Sequence, residues 1–148
     1  MATVNFKKLD PSAKLPAYSG SSRSSGMDIF ALHDFALQPG RMISIPTGIA
    51  MQCPEGYEGQ VRPRSGLAKN HQLTVLNTPG TIDNDFRSEI LVLLINHSPF
   101  PYYGKAGERV AQLVVKAIEF HDIVEVTEFV DNFVNDRGDR GFGSSGKF

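Results

Sequence analysis

Apolar positions recur along the chain at short periods and in short runs. Residues 42–51, Met42-Ile43-Ser44-Ile45-Pro46-Thr47-Gly48-Ile49-Ala50-Met51, read as a strand pattern broken by a Pro-Thr-Gly bend. Residues 57–62 alternate weakly. Residues 89–96 form a nearly continuous apolar run, too short for a typical helix and suited to a strand buried on both faces. Residues 109–115 and 123–129 are rich in β-branched side chains and predict two further strands. Turn formers separate these runs at Gln38-Pro39-Gly40, Cys53-Pro54-Glu55-Gly56, Thr78-Pro79-Gly80 and Ser98-Pro99-Phe100-Pro101. Short strands punctuated this often predict an all-β, jelly-roll-like antiparallel sandwich or barrel. A short helix fits only between Ser65 and Leu73.

The ends read differently. Residues 19–26 are a Ser/Gly-rich stretch with the character of an exposed, flexible loop. Residues 137–148 are glycine-rich, and their large apolar groups are Phe142 and Phe148. Burial there offsets little of the entropy of ordering, so a mobile C-terminal arm is expected beyond a domain spanning 1–136.

Composition narrows the class. At 148 residues the chain has the length of one domain, and 41% hydrophobic with 21% charged residues excludes a disordered or fibrous protein. Fifteen Lys+Arg against sixteen Asp+Glu argue against a nucleic-acid coat or a basic membrane-surface protein. A single cysteine, Cys53, forms no intrachain disulfide, and the scattered histidines have no zinc spacing. No apolar stretch reaches membrane-spanning length, and residues 1–8 lack the apolar core of a secretory leader. A cytoplasmic protein is expected, without nucleic-acid or membrane partners.

Four segments carry candidate chemistry. The tail offers backbone N–H groups, serine hydroxyls and the cations Arg137, Arg140 and Lys147 to an anion. Its Gly141…Gly146-Lys147 spacing imitates a phosphate loop, but Phe148 stands where that motif needs Ser or Thr, which argues against it. Arg62-Pro63-Arg64-Ser65-Gly66 runs from a strand into a helix, either as a phosphate cradle or as a plain junction with Ser65 as N-cap. Residues 77–87 place Asn77, Asp83, Asp85 and Phe86 in a turn-rich hairpin. If extended, Asp83 and Asp85 share a side there, able to bind a cation or to supply one general base; otherwise they belong to an Asx turn. In residues 107–113, Arg109 and Gln112 interrupt an apolar strand, and alone they read as a solvated strand end.

In order, Ser25-Gly26-Met27-Asp28-Ile29, Pro63-Arg64-Ser65-Gly66-Leu67-Ala68, residues 80–87, residues 107–113 and residues 137–146 resemble the five motifs of the homotrimeric dUTPases. The resemblance spans nearly the whole chain. It implies a jelly roll assembling as a homotrimer that hydrolyses dUTP to dUMP and pyrophosphate with Mg2+. Such an activity limits uracil incorporation into DNA and supplies dUMP for dTMP synthesis.

The resemblance also implies roles for individual residues. Asp83 matches the water-activating carboxylate. Asn77, Gly80, Thr81, Ile82 and Phe86 match the uracil and deoxyribose pocket. Arg64, Ser65, Gly66 and Gln112 match phosphate contacts. Asp28 matches a carboxylate acting through water on a Mg2+ held mainly by substrate phosphates. Phe142 matches a ring stacked over uracil; Arg137, Gly143, Ser144 and Ser145 match a clamp on the β- and γ-phosphates of a neighbouring subunit's site. The chain departs from the pattern at Phe86 (commonly Tyr), Ser88 and Arg140 (both commonly Gly). The rival readings are a dCTP deaminase of the same fold, a regulatory binding protein on this scaffold, and a structural jelly roll.

Overall fold

The computed structural model describes residues 3–21 and 23–129. Twelve strands and one helix follow one another as β1 (Asn5–Lys8), β2 (Ala17–Tyr18), β3 (Met27–Phe30), β4 (Phe35–Leu37), β5 (Met42–Pro46), β6 (Ile49–Gln52), β7 (Tyr57–Arg62), α1 (Ser65–His71), β8 (Leu73–Val75), β9 (Gly80–Ile82), β10 (Leu91–Asn96), β11 (Tyr102–Gly104) and β12 (Arg109–Ala117). Every strand pairing among the described residues is antiparallel, as the jelly-roll expectation requires. The largest sheet has the order β2-β3-β12-β7-β9; β5-β10-β8 forms a three-stranded sheet, and β1-β6 and β11-β4 are paired ribbons.

Burial explains the arrangement. Ile29 of β3, Ile45 and Ile49 of β5 and β6, and Val92 and Leu94 of β10 are almost fully buried, as are Val110 and Leu113 of β12. They form one core cluster. Burying side chains of this size contributes about 1.5–3 kcal/mol each. The buried Asn96 closes the end of β10 by donating from Nδ2 to the carbonyls of Leu37 (3.1 Å) and Phe100 (2.8 Å), while its Oδ1 accepts from Ser98 N–H (2.8 Å).

Three expectations need correction. The apolar run at 89–96 is not buried on both faces: Val92, Leu94 and Asn96 face the core, whereas Leu91 is 47% exposed and Leu93 and Ile95 are half-buried. Among the described residues no second layer buries their side of the sheet fully. Residues 123–129 form no strand, although their composition suits one. No strand among the described residues pairs with them, and Ile123, Val124 and Phe129 lie exposed. A strand needs a ladder partner as well as β-propensity. Ser65 is the first helical residue, not the N-cap. Arg64 takes that place with extended backbone (φ −90°, ψ 131°), and the helix has no side-chain cap.

Candidate active site

Strand β12 lies between β3 and β7, and its register gathers the first group of polar residues. Gln112 stands opposite Asp28 of β3 on one side and Arg62 of β7 on the other. Cross-strand partners project from the same face of a sheet, so Asp28, Gln112 and Arg62 share one. Arg64, two residues beyond Arg62 on extended backbone, returns to that face. A register shift between Arg109 and Ala111 then inserts an extra residue opposite β3. Without it, Arg109 and Gln112, three positions apart, would point to opposite faces; the bulge re-aims Arg109 to the side of Gln112.

These residues converge in a cleft of about 450 Å³ lined by Asp28, Arg64, Ser65, Gly66, Arg109 and Gln112, with residues of the 19–26 loop forming its rim. Asp28 is buried at its base. Its Oδ1 accepts from Arg64 Nε at 3.0 Å, and its Oδ2 lies 3.4 Å from Arg109 Nε. Arg64 also donates from Nη1 to the Arg109 carbonyl (3.3 Å), and Gln112 Nε2 donates to the Pro63 carbonyl (2.9 Å). One buried carboxylate thus orients two guanidinium groups that line the cleft. Gly26 permits this approach, since an added Cβ would sit 3.1 Å from Cδ of Gln112. The rim is less free than its composition implies: Ser24 closes the loop by donating from Oγ to the Ser19 carbonyl (2.9 Å).

The second group lies in the hairpin after β9. Asn77, Gly80, Thr81, Ile82 and Phe86 line a separate pocket of about 220 Å³, together with Glu89, Leu91 and Leu93. Gly80 lets the Asn77 amide lie against the hairpin; a Cβ there would stand 3.1 Å from Nδ2. Beyond Ile82 the chain turns, with Phe86 N–H donating to the Asp83 carbonyl (3.1 Å). Asp83 and Asp85 are therefore not consecutive same-side positions of an extended strand. Arg87 holds the turn by donating from Nη1 to the carbonyls of Asn84 (2.6 Å) and Phe86 (2.9 Å). Asp83 is exposed at the start of this turn, and the Phe86 ring is 39% exposed. Ser88 lies outside the left-handed backbone region, so its side chain introduces no strain where a glycine would be usual.

Register separates Asp83 from the cationic cleft. β9 runs antiparallel to β7, with Gly80 opposite Val61 and Ile82 opposite Gly59. Asp83 therefore lies toward the start of β7, whereas Arg64 lies past its end. At ~3.3 Å per strand residue the two are separated by roughly 15–20 Å along the sheet.

Sequence reasoning took Arg109 for a solvated strand end; the structure places it on Asp28. Its one signal was an arginine interrupting an apolar strand. Arg137, Arg140, Phe142, Gly143, Ser144 and Ser145 lie outside the described residues. Among the described residues no cluster of carboxylates, histidines or cysteines could hold a metal ion by itself. A lone buried carboxylate beside a cationic cleft fits a Mg2+ ligated chiefly by substrate phosphates and water, the usual way this ion is bound at phosphoryl sites. Likewise, no helix among the described residues is long and apolar enough to cross a membrane.

Comparison with known proteins gives a consistent result. The sequence matches the model of the dUTPase family over residues 12–146. The deoxyuridine 5'-triphosphate nucleotidohydrolase of Nautilia profundicola is 47% identical over 144 residues, covering 97% of this chain and 99% of that protein. Its counterpart in Ehrlichia canis is 49% identical over 134 residues, covering 89% and 86%. Among solved structures, the Staphylococcus bacteriophage 80alpha dUTPase with dUPNHPP superposes with a TM-score of 0.87 at 29% identity, covering 97% of this chain and 98% of that one.

Proposed function

The chain belongs to the dUTPase family, whose activity is dUTP hydrolysis, and from that premise we propose how its residues perform the reaction and that they do so between copies of the chain. The carrying observation is the separation along β7. The cationic cleft and the hairpin turn lie at opposite ends of one strand, too far apart for one chain to bring both to a single α-phosphate. A homotrimer in which one subunit's hairpin meets another's cleft resolves the separation. The exposed Leu91 and the half-buried Leu93 and Ile95 supply apolar surface suited to such a contact.

In this reading Asp83 removes a proton from water as the oxygen attacks the α-phosphorus of dUTP. The bond from that phosphorus to the bridging oxygen breaks, and dUMP and pyrophosphate separate. The guanidinium groups of Arg64 and Arg109, with Ser65, Gly66 N–H and Gln112, bind the phosphates and stabilise charge on the leaving oxygens. Asp28 keeps both arginines aimed and would help hold, through water, a Mg2+ bound with the substrate. Mg2+, when bound with the substrate, neutralises phosphate charge and orients the chain of phosphates.

Asn77 and the backbone of residues 80–82 pair with the uracil edge. Cytosine, with its donor and acceptor exchanged, would leave buried groups unpaired there, and such mismatches are strongly rejected. Phe86 lies beneath the deoxyribose and leaves no room for a 2′-hydroxyl, a steric task that does not need a phenolic oxygen. Arg137, Gly143, Ser144 and Ser145 bind the outer phosphates, and Phe142 stacks on uracil, when residues 137–148 of a third subunit close the site. The product dUMP feeds dTMP synthesis, and removal of dUTP keeps uracil out of DNA. A single buried thiol, Cys53, suits a cytoplasmic setting.

Pyrophosphate release measured with dUTP, dCTP, dTTP and UTP, with and without Mg2+, tests the reading. Turnover of dUTP alone, lost on chelation, is expected; ammonia released from dCTP would instead establish a deaminase. In the same assay Phe86→Ala is expected to lower the preference for dUTP over UTP by about tenfold or more. Unchanged selectivity would assign ribose exclusion to another residue.

A further inference from the structure

Glu108 precedes Arg109, yet its carboxylate does not join the Arg64–Asp28–Arg109 cluster. Oε1 accepts a short hydrogen bond from the Tyr102 hydroxyl, and Oε2 accepts from Lys105 N–H at 3.0 Å. Tyr102 is fixed in turn by the His71 ring, which meets it edge-on with centroids 5.0 Å apart. His71 ends the helix whose N-cap position is Arg64. Burial, followed by the hydrogen bond to Glu108, pushes the Tyr102 phenol well above its ordinary range, so it remains a donor at any working pH. The positive charge of Arg64 is near enough to oppose that rise.

The charge balance gives this tether a consequence. Two guanidinium groups and Asp28 leave the cleft with one net positive charge. A second carboxylate turned toward Arg64 or Arg109 would cancel it and occupy donors that a phosphate needs. We propose that Tyr102 is a positioning residue whose hydroxyl holds the Glu108 carboxylate away from the two arginines and so keeps them available to phosphate. The inference rests on the reading of the cleft as the phosphate site.

The test compares the wild-type chain with Tyr102→Phe, Glu108→Gln and the double variant. Steady-state dUTP hydrolysis is measured together with calorimetric binding of inorganic pyrophosphate. Tyr102→Phe is expected to raise KM and the pyrophosphate Kd about tenfold while kcat stays within about twofold. Adding Glu108→Gln should restore both affinities, because a neutral amide does not compete for arginine. Glu108→Gln alone should bind pyrophosphate as tightly as the wild type or more tightly, which keeps the test decisive even if Tyr102→Phe fails to fold. Unchanged affinity in Tyr102→Phe, further loss in the double variant, or weakened binding in Glu108→Gln alone would overturn the proposal. If the wild-type chain binds pyrophosphate but leaves dUTP intact, the functional reading fails, while the pyrophosphate affinities still decide the role of Tyr102.

Discussion

Asp83→Asn is expected to lower dUTP turnover by about 10²–10⁴-fold, the usual contribution of a positioned general base, while leaving substrate affinity nearly intact. Asparagine keeps the size and shape of the side chain at the start of the hairpin turn but cannot take a proton from water. The hydrogen bond that closes the turn comes from Phe86 N–H to the main-chain carbonyl of residue 83, so the substitution leaves it in place. Calorimetry with a non-hydrolysable dUTP analogue would report binding, and pyrophosphate release would report chemistry. A loss of binding comparable to the loss of rate would instead make Asp83 a structural residue. Near-normal turnover would remove it as the base.

Removal of residues 137–148 is expected to be almost as damaging, with a fall of about 100-fold or more in kcat/KM, in the range for losing groups that align a reactant and exclude solvent. The segment contributes Arg137, Phe142, Gly143, Ser144 and Ser145, the groups proposed to complete the closed complex. The described core cluster draws entirely on residues before 118. The truncated chain should therefore keep the melting temperature and oligomeric state of the full chain. Sedimentation and thermal melting would check the fold. A truncate with full activity would end the closure assignment, and one that fails to assemble would make the segment part of the interface.

The sequence made much of this site legible because the necessary residues are locally ordered in motifs. Asp28, Arg64, Ser65, Gly66 and Gln112 come from three segments, and the register of β3, β12 and β7 brings them to one cleft. Hydrophobic periodicity identified most of β5, β6, β7, β10 and β12, because each carries enough apolar side chains to mark its buried positions. Arg109 escaped because its orientation depends on a bulge. An extra residue in the ladder reverses the alternation, and no local pattern announces it. The Tyr102–Glu108 contact escaped for a related reason: six residues and a turn separate the pair, and neither lies in a periodic run.

The strand expected at 123–129 failed differently. Its composition reports willingness to pair, whereas pairing depends on a partner edge that the described residues do not offer. The two-sided burial expected of β10 likewise depends on a neighbour that is not found among the described residues. Ser65 was assigned one position too early because capping is decided by backbone angles at Arg64, which residue identity does not fix.

Complementation between two inert variants tests the shared site most directly. Asp83→Asn chains keep an intact cleft, and Arg64→Ala chains keep an intact hairpin. Denatured together and refolded as mixed oligomers, they should regain a substantial fraction of dUTP hydrolysis, because some sites then combine a working hairpin with a working cleft from different chains. If mixtures stay as inactive as either variant refolded alone, despite verified co-assembly, both halves of the site reside in one chain and the shared-site account is wrong.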